Sequence, residues 1–513
     1  MKKILYANFT ILFLLGCKQE NTNQIKTENI VLDELTIAQI HTNYENGSYT
    51  SEQLVMAYIE RIKSQDSLLN AITFINPDAI SDAKKLDNEY KISGKLRPLH
   101  GIPLIVKDNF NTKGIPTTAG ALALKKFKPD SNATMVQQLL DAGAIIIAKS
   151  NMAEWAFSPM HTTSSTAGTT KNPYNRDHVP AGSSGGTGAS IASNFGTIGL
   201  GSDTGNSIRG PSSHNALVGF RSTMGLTSRA GIIPLYLRND IGGPMCRTVE
   251  DATRVLNLIT GYDQKDAITK YSEGKTAEDY TKFLDKNGLR SSRIGVLRIL
   301  SDNNPDPEIT QLFNTAIKDL KTNGAILLDS IVIPNFNELR RNQWCGVFKE
   351  DIQAYLAEYV KNDTIATLVD IARIGSKSPY AEKGVVHFRD APIGRTSTPD
   401  IPCDNLYEDG RSIAFRTAIE NVMDELNLDA IIYPSWNNKP ATIANFQEEY
   451  KGDNSQVIAP HTGQPAFTVP MGFVSGNLPA GLQFLGRMYS EPTLIKLTYS
   501  YEQATKHRKQ PKL

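Results

Sequence analysis

The sequence has almost no excess of charge of either sign. Its 513 residues include 54 lysines and arginines against 53 aspartates and glutamates, a formal net charge of +1. Binding to the phosphate backbone of a nucleic acid needs a concentrated basic face, and an acidic interaction tail needs a run of like charges. The composition points to neither. We therefore expect a small-molecule partner and no nucleic acid.

Cysteines and metal-binding spacings are also scarce. Cys17 lies near the N-terminus, and only Cys246, Cys345 and Cys403 follow it. Three scattered cysteines in a large chain do not form a disulfide framework, and at least one of them must stay unpaired. The eight histidines include no His-x-x-x-His pair, and no Cys-x-x-Cys pair is present. Because these spacings are typical of zinc sites, we expect no metal and no cofactor.

The apolar run at the N-terminus is too short to cross a membrane. It follows Lys2 and Lys3, reads ILYANFTILFLL and has the length of a signal-peptide hydrophobic region, whereas a membrane span needs about 20 residues. The run ends in LLGC at residues 14–17, which resembles the lipobox of bacterial lipoproteins. In such proteins the signal is cleaved before the cysteine, and the cysteine carries the lipid.

This resemblance divides the chain into three parts. Residues 1–16 are expected to be a lipoprotein signal peptide, residues 17–30 the lipidated Cys17 with a polar tether, and residues 31–513 one large domain. The mature protein would then be lipid-anchored in the bacterial cell envelope, on the periplasmic or surface side. An ordinary secretory signal with an incidental cysteine is the alternative.

Beyond the tether, helix and strand signals alternate without a long low-complexity linker. Thr50 and Gln53 form a capping-box pattern at the start of a helix, and the run in GIPLIVKDNF predicts a strand that stops at Lys107. SRIGVLRIL, AILLDSIVIP, PAFTVPMGF and AGLQFLG also predict strands, and EPTLIKLTYSYEQATKH predicts a closing helix. Such alternation favours an α/β protein with a mixed sheet covered by helices.

Two glycine-rich stretches, AGSSGGTGAS at 181–190 and GSDTGNSIRG at 201–210, remain to be explained. The first leads into an apolar helix, which disfavours a flexible linker, and neither stretch matches a phosphate-binding loop. Residues 182–186 do match the Gly-x-Ser-x-Gly nucleophile elbow. Ser184 would then be the nucleophile of a Ser/His/Asp hydrolase, with the base supplied by His214, His387 or His461. That elbow needs a preceding strand, yet RDHVPAG stands there.

Taken together, the two stretches and Lys107 resemble the amidase signature family of serine hydrolases. The resemblance runs through LHGIPLIVKDNF, GAIIIAKSNMAEWA, the NPYN segment before AGSSGG, GSDTGNSIRGPSSHNALVGF and GQPAFTVPMGF, which makes residues 31–513 an amidase domain. It implies Ser207 as nucleophile, Ser183 as a bridging serine with a cis peptide, and Lys107 as general base. The implied reaction is hydrolysis of a carboxamide through an acyl-enzyme.

Physical chemistry adds conditions to these roles. Lys107 can act as a base only when neutral, so its pKa must fall by about three units through burial, at a cost of about 4 kcal/mol. An amide also needs donors for its developing oxyanion, and the backbone N–H groups of Thr204, Gly205, Asn206 and Ser207 are the candidates. The family usually has glycine where this chain has Asn206, and asparagine tolerates the positive φ expected there.

Other residues receive supporting roles. Asp203 and Arg209 are expected to hold the second glycine-rich loop by hydrogen bonds, and Ser184 is expected to be a supporting residue. The three tryptophans, including Trp344, are expected to lie in the core. The signature core also resembles a component of glutamyl-tRNA amidotransferase, but an exported lipoprotein would not meet charged tRNA. A lipid-anchored solute-binding protein is the non-enzymatic alternative. The sequence does not identify the amide, and we expect segments such as 335–400 to select it.

Overall fold

The computed structural model describes residues 30–392 and 402–513, and a large mixed β-sheet lies at its centre. In chain order, the strands are β1 Ile72–Ile75, β2 Pro103–Lys107, β3 Ile145–Ser150, β4 Thr163–Ser164, β5 Gly168–Thr169, β6 Ile198–Asp203, β7 Val218–Arg221, β8 Ile241–Cys246, β9 Arg293–Val296, β10 Ile326–Asp329, β11 Ala430–Pro434, β12 Ala466–Val474 and β13 Leu478–Leu485. Eleven strands form the sheet in the order β1-β3-β2-β6-β8-β7-β12-β13-β11-β9-β10, and β4 pairs with β5 separately.

Helices cover this sheet. In the described ranges they are α1 Ile37–Glu45, α2 Ser51–Gln65, α3 Ala79–Ser93, α4 Thr134–Asp141, α5 Gly185–Ala192, α6 Arg209–His214, α7 Val249–Ile259, α8 Arg298–Ser301, α9 Pro307–Thr322, α10 Phe336–Leu339, α11 Phe348–Tyr355, α12 Leu368–Ile374, α13 Pro379–Asp390, α14 Gly410–Glu425, α15 Phe446–Glu449, α16 Ala459–Thr462 and α17 Glu491–Thr505. The predicted α/β class, with a single large domain and a mixed sheet, is confirmed.

The strand arrangement positions the site. β2 runs parallel to both of its neighbours, β3 and β6, so the carboxyl ends of all three strands meet at one edge of the sheet. The last residue of β2 is Lys107, and β6 ends at Ser202 and Asp203. Ligand sites of parallel α/β sheets lie at this edge, and here it carries the basic side chain that the sequence singled out.

Local signals placed most elements correctly. The capping box of Thr50 and Gln53 starts α2, and a strand ends at Lys107 as predicted. Two predicted strands are shorter than expected. β9 pairs with β11 only from Ile294 to Val296, after which Leu297 turns into α8. β10 lies at the sheet edge and pairs only with the four residues of β9, so nothing extends its ladder beyond Asp329.

One disulfide joins Cys345 to Cys403, and Cys246 is free and buried. The sequence predicted at least one unpaired cysteine but did not predict this bond, because its partners are 58 residues apart. The predicted signal peptide and Cys17 lie outside the described residues. In residues 30–392 and 402–513, no helix is both long enough and apolar enough to span a membrane.

Candidate active site

Lys107 is held between two serines at the end of β2. Its Nζ lies 2.8 Å from Ser183 Oγ and 2.9 Å from Ser202 Oγ, and it also contacts the Ser202 carbonyl at 3.3 Å. The Lys107 and Ser183 side chains are fully buried. Asn109 Nδ2 donates to the Ser202 hydroxyl at 3.0 Å, which fixes that oxygen. The predicted neighbours Lys107 and Ser183 therefore meet, although they are 76 residues apart.

Burial changes the protonation of Lys107. No carboxylate within the described chain forms an ion pair with it. Burial lowers the pKa of its amine from 10.5 to about 7, against the opposing attraction of Asp240 and Asp203. A large fraction of Lys107 is therefore neutral at neutral pH and can accept a proton from the Ser183 hydroxyl.

The two glycine-rich loops share one carbonyl. Pro159 O accepts both the Gly182 N–H at 2.9 Å and Asn206 Nδ2 at 3.3 Å. The Gly182–Ser183 peptide is cis, as the family resemblance implies. A Cβ at Gly182 would lie 2.4 Å from the carbonyl oxygens of Ser158 and His161, so only glycine permits this close approach. These contacts bring Ser183 and Ser207 to the same region.

Ser207 lies in the wall of a cavity of about 570 Å³. Thr204, Gly205 and Asn206 line the same wall, and none of the four backbone N–H groups donates a hydrogen bond to another described residue. Consecutive unpaired backbone donors beside a hydroxyl are what stabilisation of an oxyanion requires. The other walls are mainly aromatic: Phe157, Tyr236, Trp344, Tyr380, Phe388 and Tyr450.

A buried ion network holds the Ser207 loop. The Asp203 carboxylate accepts from Arg209 Nε at 3.1 Å, from Arg221 Nη1 at 2.8 Å and from the Ile208 N–H at 3.1 Å. Burial alone would raise the pKa of Asp203, but the two guanidinium groups outweigh it and hold that pKa well below its usual range. Arg209 Nη2 also donates to Gly205 O at 2.7 Å. These contacts fit the loop-holding role expected of Asp203 and Arg209.

Asn206 does not have the backbone conformation expected from the sequence. Asn206 does not have a positive φ, so the prediction of a left-handed backbone at this residue is wrong. The side chain accounts for the residue instead. Asn206 Nδ2 donates to Asp453 Oδ2 at 2.9 Å, and Asn206 Oδ1 accepts from Ser207 Oγ at 3.3 Å. In the described ranges, no hydrogen bond joins Ser207 to Ser183.

Asn206→Gly should therefore keep the backbone donor and leave kcat/KM for amides within about tenfold of wild type. It should also lower the free energy of unfolding by about 1–3 kcal/mol, because the buried Asp453 carboxylate loses a donor. Steady-state kinetics and chemical denaturation measure the two effects. A folded but inactive variant would show that the amide itself is essential.

The alternative nucleophile elbow lacks a base. Ser184 Oγ donates to the Ser202 carbonyl at 3.2 Å, and no histidine in the described part of the chain bonds to it. His214 packs against Trp436, and His461 packs against Trp344. His387 lies in the cavity wall and is exposed. Ser184 thus contacts the second glycine-rich loop at Ser202, which fits a supporting role.

Sequence reasoning missed two parts of the site. Ser202 supplies the second hydroxyl that contacts the Lys107 amine. No motif in the sequence marks it, apart from its place two residues before Thr204. Trp344, assigned to the core, instead lines the cavity, so that expectation is wrong. The Trp344 ring lies 3.1 Å from the position that a Cβ on Gly205 would take. This contact joins two segments that are distant in the sequence. In residues 30–392 and 402–513, no group of three or more His, Cys, Asp or Glu side chains is arranged to hold a metal ion.

Comparisons with known proteins agree with this geometry. A model of the family described as Amidase matches residues 53–495. The chain is 34% identical to a "Probable amidase" of Arabidopsis thaliana, over 94% of this chain and 92% of the relative. It is 31% identical to a "Putative amidase" of Schizosaccharomyces pombe, over 95% and 88%. The structure of a peptide amidase from Stenotrophomonas maltophilia superposes with a TM-score of 0.82 at 33% identity, over 94% and 99%.

A buried lysine–serine pair beside unpaired backbone donors is an arrangement for acyl transfer, and the comparisons specify the class further. The chain belongs to the amidase family. It is an amidase, an enzyme that hydrolyses the C–N bond of amides.

Proposed function

We propose that the protein hydrolyses carboxamides through an acyl-enzyme on Ser207, with Ser183 as proton relay and Lys107 as base. The observation that carries this proposal is the 2.8 Å contact between Lys107 Nζ and Ser183 Oγ, both fully buried. Lys107 also contacts Ser202, which comes two residues before Thr204 in the cavity wall that Ser207 shares. A solute-binding protein would have no use for Lys107 together with Ser183 and Ser207. Release of ammonia from a primary amide tests the activity.

The proton path follows from these positions. Neutral Lys107 takes the Ser183 proton while Ser183 takes the Ser207 proton, and Ser207 Oγ attacks the amide carbonyl. The Ser207 hydroxyl must first rotate from Asn206 Oδ1 towards Ser183. The unpaired N–H groups of residues 204–207 stabilise the oxyanion. The protonated relay then donates to the departing nitrogen, and water hydrolyses the acyl ester by the same path in reverse.

The pH profile reports the state of Lys107. Because burial lowers the pKa of this amine to about 7, raising the pH through that value increases the active neutral form. We expect kcat/KM to rise about tenfold per pH unit below pH 7 and to level off above it. Steady-state kinetics between pH 5 and pH 9, with stability checked at each pH, measure this limb.

Asp453 supplies the control for this profile. Burial raises the pKa of Asp453 to about 7, and this carboxylate contacts Asn206 beside the nucleophile. If Lys107 produces the rise of kcat/KM with pH, Asp453→Asn should show the same rise. Loss of the limb in a folded, active Asp453→Asn variant would assign it to Asp453 instead.

The cavity favours an uncharged acyl group. Six of its lining side chains are aromatic, and its one histidine, His387, is exposed. Aromatic walls bind apolar or aromatic groups by burial and ring contacts. Similarity to the peptide amidase makes amides of apolar amino acids and peptides the first panel to test. A Ser184 esterase or a lipid-anchored solute-binding protein stays the alternative, and each fails if ammonia is released in a Ser207-dependent reaction.

We also propose that the protein is exported and anchored by lipid at Cys17. The sequence from the N-terminal lysines to LLGC supports this, and so does the Cys345–Cys403 disulfide, because disulfides persist in oxidising compartments. Stable retention needs more than one acyl chain, as lipoproteins resembling this pattern carry.

Cell fractionation tests the anchor. Wild type should be recovered with membranes, and Cys17→Ser should move the protein out of the membrane fraction. Cys246→Ser is the matched control, since that buried thiol should leave the distribution unchanged. Recovery of wild type entirely in a soluble fraction would contradict the proposal.

A further inference from the structure

A second cavity, of about 390 Å³, adjoins the active-site cavity, and Tyr380 lines both. Its walls include the apolar side chains Val179, Pro379, Ile443 and Phe446. Acyl transfer by Ser207, Ser183 and Lys107 gives this cavity no role. It is large enough for an aromatic ring with a substituent.

His161 is a deeply buried polar side chain in the wall of this second cavity. It is 3% exposed, and the rings of Phe446 and Tyr380 lie with their centroids 4.1 Å and 5.5 Å from the imidazole. Neither ring nitrogen forms a hydrogen bond with a residue that the structure describes. Burial lowers the pKa of His161 to about 4, so at pH 7 the neutral ring offers one donor and one acceptor. Buried polar atoms are normally satisfied, which points to a ligand group here.

The wall that carries His161 also supports the Ser183 loop. Pro159 O accepts from the Gly182 N–H at 2.9 Å, and Thr162 Oγ1 donates to Ala181 O at 2.9 Å. In the proposed mechanism, the departing nitrogen takes its proton from Ser183. The amine must therefore leave on the Ser183 side of Ser207. His161, which lines the second cavity, lies against that loop, because its carbonyl oxygen is 2.4 Å from where a Cβ at Gly182 would stand.

We infer that the second cavity binds the amine part of secondary amides, an aryl or aralkyl amine whose polar substituent hydrogen-bonds to His161. The inference rests on the proposed function. In the step concerned, Ser207 Oγ forms a bond to the acyl carbon, the C–N bond breaks, and the nitrogen gains a proton through Ser183. The product amine leaves from the second cavity, and water later releases the acid from the acyl ester.

Three amides of one acyl group test this assignment: the primary amide, the N-benzyl amide and the N-(4-hydroxybenzyl) amide. Wild type should hydrolyse both secondary amides and prefer the hydroxylated one. His161→Phe should lower kcat/KM for the hydroxylated amide about tenfold and leave the primary amide within about twofold. His161→Asn, which keeps a donor and an acceptor, should recover part of the preference. Ile443→Trp, which fills the cavity, should slow both secondary amides only.

Each result decides between the claims. If wild type hydrolyses the primary amide but neither secondary amide, the second cavity does not bind the amine, and the inference is overturned. Equal losses for all three amides in His161→Phe and Ile443→Trp would assign these residues a structural role and overturn it as well. If wild type hydrolyses none of the amides and Ser207 is not acylated, the proposed function itself fails.

Discussion

Ser207→Ala is expected to lower kcat for amide hydrolysis about 10⁴-fold or more, because the acyl-enzyme cannot form without its oxygen. The cavity and the four unpaired N–H groups remain, so the variant should still bind the amide with a similar dissociation constant. Kinetics of ammonia release and equilibrium binding measure the two quantities. Loss of binding together with turnover would indicate a folding defect.

Ser184→Ala is the matched control for this loss. Ser184 is also a buried serine of a glycine-rich loop, but its hydroxyl donates to the Ser202 carbonyl. Removing one such hydrogen bond costs about 1 kcal/mol, so most of the rate should survive. If Ser184→Ala abolished turnover while Ser207→Ala did not, the nucleophile elbow would replace the proposed trio. Loss of turnover in folded His214→Ala, His387→Ala or His461→Ala would support that same alternative.

Lys107→Met is expected to lower kcat/KM about 10³-fold, since methionine fills a similar space but cannot accept a proton. Its free energy of unfolding at pH 7 should change by less than about 2 kcal/mol. Removing the buried amine relieves its desolvation cost, which offsets the hydrogen bonds lost to Ser183 and Ser202. Kinetics and chemical denaturation of the same preparation measure both effects.

Lys149 offers a second buried lysine as control. Its amine donates to the Phe110 carbonyl at 2.6 Å and to two threonine hydroxyls, and not to Ser183 or Ser202. Burial lowers its pKa to about 8. Lys149→Met should lower stability but keep kcat within about tenfold of wild type. If Lys149→Met removed activity and Lys107→Met did not, the assignment of the base would be wrong.

The sequence predicted the parts of the fold that depend on near neighbours. Thr50 and Gln53 cap α2 within four residues, and β2 ends where its apolar run meets Lys107. The lengths of β9 and β10 could not be predicted in this way, because a strand ends where its partner ends. Their partners in the sheet are set by folding of the whole domain.

In the candidate site, too, the sequence predicted local features and missed contacts between distant segments. Lys107, Ser183 and Ser207 were identified because each stands in a motif whose order along the chain resembles a family. The contacts of Asn206 were not, because its partner Asp453 lies 247 residues away, and a motif carries no information on such a pair. Segment 335–400 was expected to select the amide, but its individual wall residues Trp344 and Tyr380 were not identified, because the segment has no recognisable motif.

Covalent labelling of the nucleophile tests the central claim most directly. The wild-type protein is treated with a fluorophosphonate at pH 8, and the modified peptide is identified by mass spectrometry. We expect one adduct on Ser207, which forms much more slowly in Lys107→Met and Ser183→Ala and at the wild-type rate in Lys149→Met. An adduct on Ser184, or labelling of Ser207 at the same rate in all variants, would contradict the proposed trio.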